Sequence, residues 1–208
     1  MRYTHIAFDI DGTLIDTQDT FTYSFARTIK TLKGDAVSPD DLVKYFGLPS
    51  MKGIEMVGFA DNGQALELWE EYYREMAAYK SRPYPGVHEV IEQIKAAGIK
   101  MGVITSRSRD EFEFDRNLDP WRQWMVTVIC ADDTVRHKPD GEPAEAFAAR
   151  AGVAVSSCLY VGDTPMDALC AANAGMDFAL ADWRGDAEPM PYKYRFTSAK
   201  ELKKIILS

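Results

Sequence analysis

Asp9 and Asp11 stand two residues apart behind the apolar run His5-Ile6-Ala7-Phe8. On extended backbone that spacing sends both carboxylates to one side, at the end of a buried strand. Adjacent carboxylates repel, and a divalent cation, a shared proton or both relieve the repulsion. The expected chemistry is therefore metal-assisted, acid/base, or both. Behind them, Gly12 permits a sharp turn and a close ligand, and Thr13 offers a hydroxyl and an amide to an anion. The same pentapeptide also makes an ordinary Asp-Gly turn, so its weight depends on what else reaches the same place.

Three further clusters follow apolar runs. Thr105-Ser106 comes after Val103-Ile104, Lys138-Pro139 lies in the loop beyond Cys130, and Gly162-Asp163 comes after Val161. If the runs are parallel strands of one open sheet, their carboxyl ends share an edge, where ligands bind. Asp9, Asp11, Thr105 and Asp163 should then converge. Thr164 and Pro165 read as an N-cap and first helical residue, which leaves Asp163 ahead of the helix, facing the crevice as a metal ligand. Asp167 falls in the first helical turn, where capping and the helix dipole favour an acid without any catalysis, so it reads as a supporting residue behind the ligands. Thr105 and Ser106 either cap a helix beginning near Arg107 or hold phosphate oxygens at its start. Lys138 is either an ordinary surface lysine or a point charge aimed at a phosphoryl group.

The elements that must position these residues follow from apolar periodicity. Residues 6–8, 101–104, 125–130, 159–161 and 178–181 read as buried strands. Val87, Val90, Ile91 and Ile94 recur at helical spacing before Gly98, as do Ala144, Phe147, Ala148 and Ala151 before Gly152. This alternation predicts an α/β fold, a Rossmann-like, mainly parallel sheet with helices on both faces. Residues 16–82 break the rhythm. Phe21, Phe25, Ile29 and Leu32 form one apolar stripe, and Ala65, Trp69, Tyr72, Tyr73 and Met76 form another. Between them, Ser38-Pro39 with Asp41 reads as a capped helix start. The segment is too long for a loop and reads as an inserted α-helical domain, leaving residues 1–15 and 83–208 as the core. Its aromatic stripes read as core.

With 24 Lys plus Arg against 32 Asp plus Glu, the 208-residue chain carries a formal charge of −8, which argues against a general nucleic-acid or membrane-surface binder. No charged-then-apolar leader precedes the first strand and no apolar run approaches spanning length, so the expected location is cytoplasmic. Cys130, Cys158 and Cys170 are odd in number and lack Cys-x-x-Cys spacing, which predicts buried free thiols.

In order, Asp9-x-Asp11-Gly12-Thr13, an apolar run ending in Thr105, Lys138-Pro139 and Gly162-Asp163-x-x-x-Asp167 resemble the four motifs of the haloacid dehalogenase-like superfamily. The resemblance covers nearly the whole chain, and the helical insertion after the first motif resembles the C1-capped branch. It implies that Asp9 attacks phosphorus to form an aspartyl-phosphate, and that Asp11 protonates the leaving oxygen and later activates water. It implies Mg2+ held by the Asp9 and Asp163 carboxylates and the Asp11 backbone carbonyl, with Asp167 orienting a water of its shell. Thr105 and Lys138 would stabilise the transferring phosphoryl group, with Gly12, Thr13 and Ser106 lining the substrate. An acid at position 11 points to phosphoryl rather than haloacid chemistry. The cap sequence Phe46-Gly47-Leu48-Pro49-Ser50-Met51-Lys52 resembles phosphoglycolate phosphatases more than mutases, with Lys52 a candidate substrate contact. Ser106-Arg107 departs from their common Asn-Lys, and Gly141 from a frequent proline. The expectation is a phosphatase for a small phosphorylated metabolite of phosphoglycolate type, acting as a monomer or homodimer. A beta-phosphoglucomutase-like phosphomutase and a non-catalytic phospholigand binder are the alternatives.

Overall fold

The computed structural model describes residues 2–59 and 63–208; residue 1 and residues 60–62, which fall within the two expected domains, lie outside the described residues. The strands, in chain order, are β1 (His5–Phe8), β2 (Ile15–Asp16), β3 (Arg82–Pro83), β4 (Lys100–Ile104), β5 (Met125–Ile129), β6 (Cys158–Gly162), β7 (Asp177–Ala181) and β8 (Tyr194–Phe196). Six of them form one sheet in the order β5-β4-β1-β6-β7-β8, with every pairing parallel. Parallel strands need crossovers that cover both faces, so the central ones are apolar without alternation. Ile6, Ala7 and Phe8 of β1 and Leu159, Tyr160 and Val161 of β6 are all 0% exposed. The chain runs outward from β1 through β4 to β5, then returns past β1 to build β6, β7 and β8 on its other side. That reversal beside β1 is the switch point at which open sheets of this kind bind ligands.

The chain divides into two compact units, one of residues 1–14 with 83–208 and one of residues 15–82. In the first, helix Val87–Ala96 buries Val87, Val90, Ile91 and Ile94, and helix Glu142–Ala151 buries Ala144, Phe147 and Ala148. These are the faces that the spacing predicts, except that Ala151 at the end of the second helix is only half-buried. Cys130, Cys158 and Cys170 are free and buried. The edge strand β5 exposes Val126, while its Val128 carbonyl accepts from Arg150 Nη1 at 2.7 Å and Arg109 Nη2 at 3.2 Å. Both guanidiniums also donate to Asp133, at 3.1 and 2.5 Å respectively.

The second unit is helical, with helices Gln18–Lys33, Ser50–Met56 and Gly63–Lys80 and a 3-10 turn at Pro39–Tyr45. The two aromatic stripes meet: the Phe25 ring lies 4.6 Å from Phe21 and 5.2 Å from Trp69, and Trp69 lies 5.1 Å from Tyr73. Such pairs contribute about 0.5–1.5 kcal/mol each beyond the area they bury. The capped helix expected at Ser38 does not form. Ser38 makes no side-chain cap, and only its carbonyl accepts from Asp41 N, at 3.1 Å, so the seven-residue segment closes as 3-10 turns. No helix among the described residues is long and apolar enough to cross a membrane.

Candidate active site

The candidate residues of the first unit gather beyond the carboxyl ends of its strands. Asp9 follows β1, and its amide donates to Val161 O of β6 at 2.8 Å, so Asp9 and Asp163 emerge from neighbouring strands. Thr105 follows β4, with its amide donating to Ile129 O at 3.0 Å. Asp167 sits in the first turn of helix Pro165–Ala174, in a formed capping box: Thr164 Oγ1 accepts from Asp167 N at 3.3 Å, and Thr164 N donates to Asp167 Oδ2 at 3.1 Å. Beyond capping, Asp167 Oδ1 accepts from Tyr160 at 2.6 Å and from Lys138 at 2.7 Å.

Lys138 is the hub. Its Nζ donates to Asp9 Oδ1 and Asp167 Oδ1, both at 2.7 Å, and its side chain is buried. Asp9, Asp163 and Asp167 each place a carboxylate oxygen within 4.8 Å of the others. Two buried carboxylates and the half-buried Asp163, close to one ammonium, leave excess negative charge in a medium that penalises it. Burial accordingly pushes Asp9 up to about 7, with the Asp167 and Asp11 charges adding to it and Lys138 opposing. Burial, then Asp167 and Asp9, hold Asp163 well above the usual carboxylate range. For Asp167 burial is outweighed by Lys138 and the Thr164 and Tyr160 hydroxyls, so its pKa falls. Burial likewise works against the Lys138 charge, but Asp167 and Asp9 keep its pKa above that of an ordinary lysine. An all-oxygen set of mutually repelling carboxylates is one whose charge a hard divalent cation offsets, so these residues fit Mg2+.

The turn after β1 departs from the sequence expectation. The strand ends at Phe8, and Leu14 N donates back to Ile10 O at 2.9 Å, so two-residue alternation stops before Asp11. Asp11 is not one of the three carboxylates that lie within 4.8 Å of one another; Arg107 donates to it from Nε and Nη2, both at 2.7 Å. Thr13, expected to offer donors to an anion, directs its hydroxyl to Asp163 Oδ1 at 3.0 Å and its amide to Ile10 O at 3.3 Å. It thus holds a candidate ligand rather than a substrate. Gly12, at φ +78°, is the cradle: a Cβ there would lie 2.1 Å from Asp163 Oδ2. Gly12→Ala is expected to displace Asp163 and lower magnesium affinity at least tenfold, roughly 1.4 kcal/mol or more, in a calorimetric titration. Unchanged affinity would show that the cradle has no role.

Thr105 is buried and accepts from Arg107 N at 3.2 Å. Neither Thr105 nor Ser106 caps a helix. The next helix begins at Arg109, and Ser108 caps it, with Oγ accepting from Glu111 N at 3.1 Å. Thr105, Ser106, Cys130, Thr134, His137 and Lys138 line one small pocket, where Thr134 Oγ1 is buried without a hydrogen-bond partner among the described residues. Lys52 lies in the helical unit, exposed and paired with Glu55 at 2.9 Å.

Three supporting residues escape sequence reasoning. Tyr160 looks like one more apolar strand residue, yet its hydroxyl reaches Asp167. Arg107 was visible only as a departure from a family pattern. Trp183 donates from Nε1 to Thr13 O at 3.1 Å and stacks on Tyr84 at 4.6 Å, bracing the turn from outside.

A family model described as haloacid dehalogenase-like hydrolase matches residues 6–181, which takes in every one of these strand ends. The chain belongs to the haloacid dehalogenase-like hydrolase family. Within that family, it is 28% identical over 182 residues to a Bacillus velezensis protein named pyrophosphatase PpaX, covering 88% of this chain and 84% of that one. A Clostridium perfringens protein that also carries the PpaX name is 31% identical over 170 residues, with 82% and 79% covered. Among solved structures, a candidate phosphoglycolate phosphatase from Lactobacillus plantarum superimposes with a TM-score of 0.82 at 28% identity, covering 99% of this chain and 100% of that one. This haloacid dehalogenase-like hydrolase therefore shares its architecture with relatives named for phosphate ester and phosphoanhydride substrates.

Proposed function

We propose that this hydrolase is a magnesium-dependent phosphatase that cleaves a small phosphorylated metabolite through an aspartyl-phosphate on Asp9. The observation that carries the reading is the Asp9–Lys138–Asp167 arrangement. One ammonium fixes the Asp9 carboxylate from one side and leaves the other carboxylate oxygen for attack. Asp9 and Asp163, with the Asp11 backbone carbonyl, would hold Mg2+, which when bound neutralises charge on the phosphoryl oxygens. Lys138 adds a second positive charge at the same place, and Thr105 and Ser106 supply hydroxyls from the end of β4. Asp11 serves as proton donor to the departing oxygen and then as base toward water. Residues 16–82 are the cap, with residues 1–15 and 83–208 as the catalytic core.

The motif pattern makes phosphoglycolate the first substrate to test, and the name of the PpaX relatives is the reason to test pyrophosphate beside it. The experiment is phosphate release from phosphoglycolate, pyrophosphate, nucleoside monophosphates and sugar phosphates, in Mg2+ and in chelator. Release that disappears in chelator and returns with Mg2+ is the expected result. No release from any of them in Mg2+ overturns the proposal, and conversion of a sugar 1-phosphate to its 6-phosphate faster than phosphate appears would make the protein a mutase.

A further inference from the structure

Arg107 is held at every polar point of its side chain. While Nε and Nη2 grip both oxygens of Asp11, Nη1 donates to Asp115 Oδ2, also at 2.7 Å. Asp115 is fixed in turn, with its Oδ1 accepting from Asn117 N at 2.9 Å and Asn117 Nδ2 at 3.0 Å. The backbone of Arg107 is tied at both ends, its amide donating to Thr105 Oγ1 and its carbonyl accepting from Ala131 N at 2.8 Å. The Arg107 and Asp115 side chains are 7% and 3% exposed, whereas Asp11 keeps 19%. The arrangement is therefore rigid behind and open in front.

We infer that Arg107, anchored by Asp115, is the positioning residue that sets where the Asp11 carboxylate stands when it meets the leaving oxygen. This rests on the proposed role of Asp11 as proton donor. Asp11 lies past the end of β1 and is not one of the three carboxylates gathered around Lys138, and the Arg107 guanidinium grips both of its oxygens. A planar guanidinium that donates to both oxygens fixes position and plane together, which a lysine cannot do. Each nitrogen of the Arg107 side chain already donates to a carboxylate, which commits the guanidinium plane to Asp11 and Asp115. The reading also gives the departure at Ser106-Arg107 a purpose: the side chain two residues beyond Thr105 serves the acid/base residue instead of the substrate.

Leaving-group dependence tests the inference. An alkoxide leaving from phosphoglycolate needs a well-placed proton donor, whereas 4-nitrophenolate departs as a stable anion without one. Values of kcat/KM are compared for phosphoglycolate and 4-nitrophenyl phosphate, since this constant reports the steps up to phosphoryl transfer. Asp11→Asn is expected to lose about 10²–10⁴-fold on phosphoglycolate and at least about tenfold less on the aryl ester. The double variant Arg107→Met/Asp115→Asn, which orphans no buried charge behind Asp11, should show the same asymmetry, about 10–100-fold on phosphoglycolate against little change on the aryl ester. Arg107→Lys, the safer variant for folding, should fall between wild type and the double variant in the same direction. Equal losses on both substrates in the Arg107 variants, or no loss on either, overturn the inference and leave Arg107 a structural residue. If Asp11→Asn itself lacks the asymmetry, the proton-donor role of Asp11 fails first, and the inference falls with it.

Discussion

Asp9→Asn is expected to lower turnover by on the order of 10⁴-fold or more while leaving the fold intact. An amide cannot attack phosphorus, and no neighbour can take its place, because Asp163 accepts from Thr13 and Asp167 is committed to Lys138, Tyr160 and Thr164. Stability should hold or rise. Burial already pushes Asp9 up to about 7, so an isosteric neutral group relieves repulsion with Asp167 and Asp11, although Lys138 loses one anionic partner. Steady-state phosphate release and a thermal melt in chelator read both effects. Wild-type turnover in the purified variant would show that Asp9 is not the nucleophile.

Lys138→Met is expected to have the largest effect on stability. The substitution keeps the apolar stem but removes the one cation 2.7 Å from both Asp9 and Asp167. Breaking a buried pair from one side typically costs about 3–5 kcal/mol, and here two carboxylates lose the same partner. In chelator the melting midpoint should fall by on the order of 10 °C. Magnesium should recover part of that loss, since a cation held by the same carboxylates stabilises the folded state by mass action, and potassium at equal ionic strength should not. A variant that melts with the wild type in chelator would refute this description of the cluster.

Much of the fold was legible in the chain because it is written locally. Uninterrupted apolar runs marked five strands of the sheet, and helical spacing between them required parallel crossovers. The sixth strand, Tyr194–Phe196, is short and carries Arg195 at its centre, so no apolar run announces it. The cluster of Asp9, Lys138, Asp163 and Asp167 was legible for the same reason, since Asp9 and Asp163 come just after strands and Lys138 and Asp167 lie in the loop and helix that follow strands, and topology gathers strand ends. What escaped depends on partners far away in sequence. Arg107 and Asp11 are 96 residues apart, and nothing near either one states that they meet. Strand alternation ends at Phe8, so it says nothing about how Asp11 is oriented.

The edge at β5 has a consequence for how this molecule behaves among copies of itself. An exposed edge strand is a template onto which another chain can add, and Val126 makes this one attractive to an apolar neighbour. Yet the Val128 carbonyl, an acceptor that an incoming strand would use, is already taken by Arg109 and Arg150. An intruding strand would have to displace two guanidiniums and strip Asp133 of both. The sheet is closed at this margin by charge rather than by another strand, so concentrated protein is protected there from growing into a shared sheet.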